Sequence, residues 1–263
     1  MARLRAAVLG NYSIVVMLLL WEAVARSGLV NPQLFPQLGA IAGELRGLFV
    51  SGDVWPHLGA TMLRVVSGFT IAAVLGVTFG LLLAYSSRLR RFVEPVFTAT
   101  YPIPRLPLYP IFIAAFGLGT LSILALVTLE CLYPITLHTL TGARSVKRLY
   151  VWSAQNMGAR PLRLFLKVVL PASLPDIFSG LRIALPIAFV LAIAAELIGA
   201  TEGMGYLVQY AASSFRRGEV FAAFIVIALI GYALDRLITF ARDRVVFWER
   251  RELKISGRAG DPN

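Results

Sequence analysis

The chain holds one cysteine, two histidines and 14 acidic residues in 263 positions. The single thiol, Cys131, excludes an internal disulfide framework; it lies within an apolar run and reads as a small apolar side chain. His57 and His138 have no companions at ligand spacing, so no metal centre is expected. Lysine is scarce as well, with Lys147, Lys167 and Lys254 the whole set. None stands in a Gly-x-x-x-x-Gly-Lys-Ser/Thr stretch, so the chain has no such phosphate loop with which to hold ATP. A membrane-embedded enzyme needs acids, histidines or metal ligands converging on one face. Their scarcity argues against catalysis, and no cofactor is expected in this chain.

Apolar length is what the sequence has in excess. The chain is 58% hydrophobic and 15% charged, with a mean hydropathy of +0.75. Apolar runs lie at about 7–25, 61–85, 93–116, 121–142, 177–199 and 219–241. Each is long enough to cross a hydrocarbon core of about 30 Å at roughly 1.5 Å per residue. The expected fold is therefore all-α, a polytopic membrane bundle of about six transmembrane helices. The first run is as long as a span and is followed by others, so it reads as an uncleaved helix rather than a signal peptide. The segments between runs alternate in charge, with 17 Lys and Arg on one side against 4 on the other. That bias predicts both termini, and the segment 144–176, in the cytoplasm. The same clustering argues against nucleic acid as a partner despite a net charge of +11. Residues 1–60 read as a first helix and a periplasmic loop, 61–248 as the core domain, and 249–263 as a cytoplasmic tail.

Two of these stretches are unusual. In the outer segment 26–60, Ile41, Leu45, Leu48 and Phe49 recur at helical spacing, predicting a short amphipathic helix. In the third run, Pro102, Pro104, Pro107 and Pro110 surround Arg105. Each proline removes a backbone donor, and irregular backbone at membrane depth survives only against protein or a watery cavity. Glu130 and Glu196 are the carboxylates well inside apolar runs; each reads equally as a structural partner of Arg105, Arg182 or Arg236 or as a contact for a solute. Gly199, Gly203 and Gly205 predict a tight turn and close helix approach at the outer face, with gating as a second reading.

The segment 144–176 is the most informative. It carries Arg144, Lys147, Arg148, Arg160, Arg163 and Lys167 and cannot lie in hydrocarbon, where each charge costs about 2.5–3.5 kcal/mol. Val146 to Met157 predicts a short helix with Leu149, Trp152 and Ala154 on its apolar side. Gly158 supplies a stop, and Pro161 fits the first turn of a second helix. Pro171 is expected to end that helix, and Ser173-Leu174-Pro175-Asp176 to cap the next span. The product is a helix–glycine–helix elbow.

The spacing of Ala154, Gly158, Ala159, Phe165, Val169, Leu170, Pro171, Ala172, Leu174 and Pro175 resembles the signature loop of binding-protein-dependent ABC importer permeases. Glu196-Leu197-Ile198-Gly199-Ala200, Gly203-Met204-Gly205-Tyr206-Leu207, Pro102-Ile103-Pro104 through Pro110 and Phe116-Gly117-x-Gly119 resemble the sulfonate, taurine and nitrate branch of that family. The resemblance spans residues 55–248. It implies a transmembrane permease subunit with a coupling helix between its fourth and fifth spans. Trp152, Ser153, Ala154, Gln155, Asn156, Met157, Gly158, Ala159, Arg160 and Pro161 would meet an ABC ATPase subunit dimer that carries the ATP and Mg. A second permease copy or paralogue and a periplasmic or lipid-anchored solute-binding protein are the further partners, within membrane lipid. Pro102, Pro104, Arg105, Pro107, Glu130, Glu196, Gly199, Gly203 and Gly205 would belong to the pathway or its gate, for a small anion. The chain departs from the pattern at Trp152, where the family usually has Glu, and at Arg105, where this branch commonly has an apolar residue or proline. A secondary transporter or channel working without an ATPase is the alternative.

Overall fold

The computed structural model describes residues 12–31, 34–100 and 102–248, and every regular element among them is helical. Within a bilayer the backbone must satisfy its own hydrogen bonds, which leaves helices as the open-chain solution. Ten elements follow in order: α1 (Tyr12–Arg26), α2 (Leu38–Ser51), α3 (Val54–Tyr85), α4 (Ser87–Thr100), α5 (Tyr109–Phe116), α6 (Thr120–Ser145), α7 (Arg148–Asn156), α8 (Pro161–Gly199), α9 (Met204–Ser213) and α10 (Arg217–Val245). Four of them, α3, α6, α8 and α10, are long and apolar enough to cross a membrane. The first predicted span begins among residues outside those described, where the tail 249–263 also lies; its described part is α1, whose Trp21 ring stacks at 3.8 Å on Phe35 of the following segment. Glu22 Oε2 accepts a 2.8 Å bond from the Leu38 N–H, tying the end of α1 to the start of α2.

The predicted third span, 93–116, is not one rod. It is α4, an irregular stretch with a 3-10 turn at Leu106–Leu108, and α5. The prolines explain the break, since Pro102, Pro104 and Pro107 remove successive donors over one and a half turns. Pro171 behaves differently from expectation. The chain stays helical from Pro161 to Gly199, with a π turn at Phe165–Val169 just before the proline. The wider turn gives the backbone slack where donors are missing. Ser173 does not cap a new helix; its hydroxyl donates to the Leu170 carbonyl at 2.9 Å.

Helix direction follows from side-chain register. On α3, Gly68, Gly76 and Gly80 lie against Val127, Ile135 and Thr139 of α6, so the two helices run parallel. A Cβ at Gly68 would stand 2.8 Å from Val127 Cγ1; such small-residue contacts suit spans that have no hydrophobic drive toward each other. Against α6, α8 is antiparallel: Asp176 lies on Gly142, His138 on Gly180, and the Cys131 thiol donates to the Ala184 carbonyl. Phe189 of α8 meets Gly231 of α10 and Arg182 meets Asp235, so α10 again runs opposite to α8. The ends therefore sort into two sets. Tyr85, Ser145, Pro161 and Val245 share the end rich in Arg and Lys, here the basic end, with α7. Val54, Thr120, Gly199 and Arg217 share the opposite end. The main core, centred on Val65, Ile123, Leu126, Ile135, Ala188 and Phe189, fills the space between α3, α6 and α8. A second core joins Leu48, Val54, Met204, Leu207 and Val226, seating α2 and α9 across the opposite end.

Candidate functional site

The basic-end elbow is built by local backbone chemistry. The Ala159 N–H donates to the Ala154 carbonyl at 3.0 Å and the Gly158 N–H to the Gln155 carbonyl at 2.9 Å. These are the two bonds of a Schellman helix ending, which requires a left-handed residue between them. Gly158 fills that place with φ 76°. The Ala-x-x-x-Gly-Ala spacing is thus the spacing of the turn itself. Ala154 is the buried residue of α7, and its small size lets the helix lie close to the bundle. Leu149 and Trp152, expected to share that inward face, are instead exposed. With Met157 at 80% and Leu162 at 70% exposure, they give the elbow an apolar crest. Beneath it a cavity of about 470 Å³ opens between the base of α3 (Leu81, Leu82, Tyr85) and Pro161, Leu162 and Phe165.

Besides the more exposed Arg182–Asp235 contact between α8 and α10, at 3.3 Å, the intramembrane residues form two ion pairs. At the opposite end, Glu196 pairs with Arg64, not with Arg105, Arg182 or Arg236; Arg64 Nη1 lies 2.8 Å from Glu196 Oε1, with the side chains 1% and 0% exposed. The Gly205 N–H donates to Glu196 Oε2 at 3.0 Å. The Thr61 hydroxyl donates to the same carboxylate, at 2.8–2.9 Å, and accepts the Met204 N–H at 2.8 Å. Arg64 also donates to the Glu202 carbonyl at 2.8 Å, to Glu202 Oε1 at 3.1 Å and to Thr120 Oγ1 at 3.2 Å. A buried charge pair is tolerable only when its remaining donors and acceptors are also occupied. Here they fasten α3, α6, α8 and α9 into one knot.

Two of the three predicted glycines belong to that knot. Gly203 has φ 117°, and a Cβ there would overlap the Glu196 carboxylate. Its N–H donates to His57 Nδ1 at 3.2 Å, which gives His57 a role without metal. A Cβ on Gly205 would press on the Ile193 carbonyl and stand 2.7 Å from Glu196 Cβ. Gly205→Ala is therefore expected to destabilise the detergent-solubilised protein by about 1–3 kcal/mol, as overpacking does. Gly59→Ala, where a Cβ meets nothing within 4 Å, should match wild type in the same thermal unfolding measurement. Gly199 is separate from the knot and faces Leu118, Ile113 and Tyr109.

The second pair lies about halfway along α6. The broken segment carries Arg105 to Glu130, with Arg105 Nε 3.6 Å from Glu130 Oε2 and side-chain exposures of 13% and 20%. The guanidinium also sits 5.5 Å from the Tyr133 ring centroid, within cation–π range. Arg105 lines two cavities, one of about 280 Å³ toward Phe97 and Tyr133 and one of about 430 Å³. Pro104 and Glu130 border the larger, whose other wall is the Pro186, Ile187, Val190 and Ala194 face of α8. Pro102 lies in the turn before it, and Pro107 in the 3-10 turn after it.

Sequence reasoning missed Arg64, Thr61 and Thr120. A signal existed: Thr61, Arg64, Gly68, Ala72, Gly76 and Gly80 recur at three- and four-residue spacing, which places one arginine on a face otherwise made of small residues.

Residues 76–247 match the family described as binding-protein-dependent transport system inner membrane component. The taurine transport system permease protein of Escherichia coli (strain K12) is 30% identical over 249 residues, covering 93% of this chain and 90% of that protein. The formylaminopyrimidine transport permease protein of Halalkalibacterium halodurans is 32% identical over 238 residues, covering 90% and 94%. A methionine ABC transporter solved in inward-facing conformations shares the fold, with a TM-score of 0.60 at 23% identity over 71% of this chain and 91% of that one. The chain belongs to the binding-protein-dependent transport system inner membrane component family, and is a membrane-spanning permease subunit of an ABC importer.

Proposed function

We propose that this permease is driven by a separate ATPase seated on the elbow Trp152–Pro161, and that its solute passes the groove beside Arg105 and Glu130. The observation that carries the first part is the crest. Apolar residues stand exposed on a rigid, glycine-set turn among Arg148, Arg160 and Arg163, too charged for hydrocarbon and too apolar for free solvent. Trp152 in place of the usual acid calls for a complementary ATPase surface that is apolar rather than basic. The alternation of charge along the sequence supports a cytoplasmic basic end and cytoplasmic termini. ATP and Mg belong to the partner. Two copies, or this chain with a paralogue, enclose the pathway between them, and a solute-binding protein docks on segments 26–60 and 200–218.

The substrate reading rests on Arg105, a cation held at mid-depth beside an open groove: a small solute with an anionic group of the sulfonate or nitrate kind. Arg105→Ala is expected to lower ATP-driven uptake at least tenfold while assembly with the ATPase persists; unchanged uptake would remove Arg105 from the pathway.

Cross-linking tests the seat. Cys131 is fully buried, so a cysteine introduced at Met157 is the accessible thiol among the described residues. Met157→Cys should cross-link to the co-purified ATPase with a short bifunctional reagent, and Ile111→Cys on α5 should not. Equal labelling at both positions, or none at Met157, would count against the seat.

A further inference from the structure

We infer that the cavity between the base of α3 and the elbow is a binding site for one anionic phospholipid of the leaflet at the basic end. The cavity itself is apolar and lies at membrane depth. Thr78, Leu82 and Tyr85 form one wall and Pro161, Leu162 and Phe165 the other, around a space of about 470 Å³, within the size range of small-molecule sites. From Thr78 to Tyr85 the wall runs about 10 Å along the axis of a membrane-spanning helix. This face of α3 is turned away from the bundle, because Gly76 and Gly80 on the other side of the helix lie against α6. Leu82 and Tyr85 are exposed there, Tyr85 by 88%. A soluble protein seated on the crest meets only the mouth of this space, whereas an acyl chain, already in hydrocarbon, reaches its depth.

Charge at the mouth then selects the lipid. Arg160 immediately precedes Pro161 on one wall, and Arg88 follows Tyr85 by three positions on the other. Both arginines are exposed, and neither makes an ion pair among the described residues. Their surroundings along the chain supply no acid, since no Asp or Glu occurs between Asp53 and Glu94 or between Glu130 and Asp176. Basic residues at the edge of a span attract anionic headgroups, and a tyrosine beside them suits headgroup level. Apolar depth alone fits any lipid; the two arginines favour one with a negative headgroup. A lipid held there touches both α3 and the start of α8, and so joins the elbow to the bundle from the lipid side.

The test is native mass spectrometry of the full-length protein in a neutral detergent, purified with and without its ATPase. Phosphatidylglycerol and phosphatidylcholine with identical acyl chains are the probes, and glycerol 3-phosphate is the competitor without chains. One phosphatidylglycerol per chain is expected to be retained, preferred over phosphatidylcholine by about tenfold or more, the scale that two arginines near a headgroup supply. An excess of glycerol 3-phosphate should not displace it. Arg88→Gln with Arg160→Gln should abolish the preference. Arg144→Gln with Lys147→Gln removes the same charge near the end of α6, the helix on the opposite face of α3, and should leave the preference unchanged. Leu82→Trp fills the cavity from an exposed position outside the packed core, and should markedly lower retention of phosphatidylglycerol. Equal retention of the two lipids by wild type, retention of neither, or displacement by glycerol 3-phosphate would overturn the site. So would a preference that survives in Arg88→Gln with Arg160→Gln, one lost equally in the α6 variant, or retention unchanged by Leu82→Trp. Loss of the lipid whenever the ATPase is bound would give the cavity to the ATPase, overturning the lipid site and leaving the seat on the elbow standing.

Discussion

Glu196→Ala should destabilise the protein by about 3–5 kcal/mol, the scale for removing one member of a buried ion pair. The loss does not come from the attraction alone. Truncation leaves the Arg64 guanidinium 1% exposed without its nearest anion, and it orphans the Gly205 N–H and the Thr61 hydroxyl donor. Glu202 lessens the damage by keeping its own 3.1 Å contact with Arg64, but its side chain is half exposed and weakly held. Glu196→Gln should fall between alanine and wild type, because the amide oxygen still accepts one bond. The pair Arg64→Leu with Glu196→Leu should lose less than the sum of its single variants, since neither charge is then stranded. Thermal unfolding in one detergent decides the matter. A Glu196→Ala protein within about 0.5 kcal/mol of wild type, the ordinary range for surface changes, would mean the knot holds nothing together.

Gly158→Val should leave the bundle folded and lower ATP-coupled uptake by at least tenfold. Gly158 has φ 76°, and a Cβ there meets nothing within 4 Å. The penalty is therefore conformational, about 1–2 kcal/mol for a left-handed L-residue and more for a β-branched one. The turn can escape it only by giving up the Ala159–Ala154 and Gly158–Gln155 bonds, which would swing Met157 and Trp152 off their positions. Gly158→Asn, which tolerates this region, should keep most of the coupling. Uptake and substrate-stimulated ATP hydrolysis in proteoliposomes separate the outcomes. Equal coupling in valine and asparagine variants would remove the turn geometry from the mechanism.

The parts of this protein legible in its sequence are those governed by short-range rules. The apolar lengths that became α3, α6, α8 and α10, the α2 helix carrying Ile41 and Leu48, and the Gly158 turn all follow from periodicity or from one residue's backbone preference. The break around Arg105 was legible for the same reason, since prolines act locally. Pro171 misled because its effect depends on what the preceding turn can absorb, and a π turn absorbed it. The orientation of α7 misled because Leu149 and Trp152 look like anchors, whereas packing admitted Ala154. The α9 helix was hidden in a glycine-rich segment that reads as loop until Glu196 is placed beneath it. The partner of Glu196 lies 132 positions away, and no local pattern specifies such a pairing. Arg64 signalled only that some buried partner had to exist.

The most direct measurement of the central claim, that a separate ATPase acts through the elbow to move solute along this chain, is uptake by proteoliposomes holding the purified complex. ATP is enclosed and the solute-binding protein supplied outside, in the absence of any ion gradient. The expected result is accumulation that requires enclosed ATP, stops with an inactive ATPase, and stops with Gly158→Val in an otherwise assembled complex. Accumulation by the permease chain alone, driven by an imposed proton or sodium gradient and indifferent to ATP, would contradict it and establish a secondary transporter.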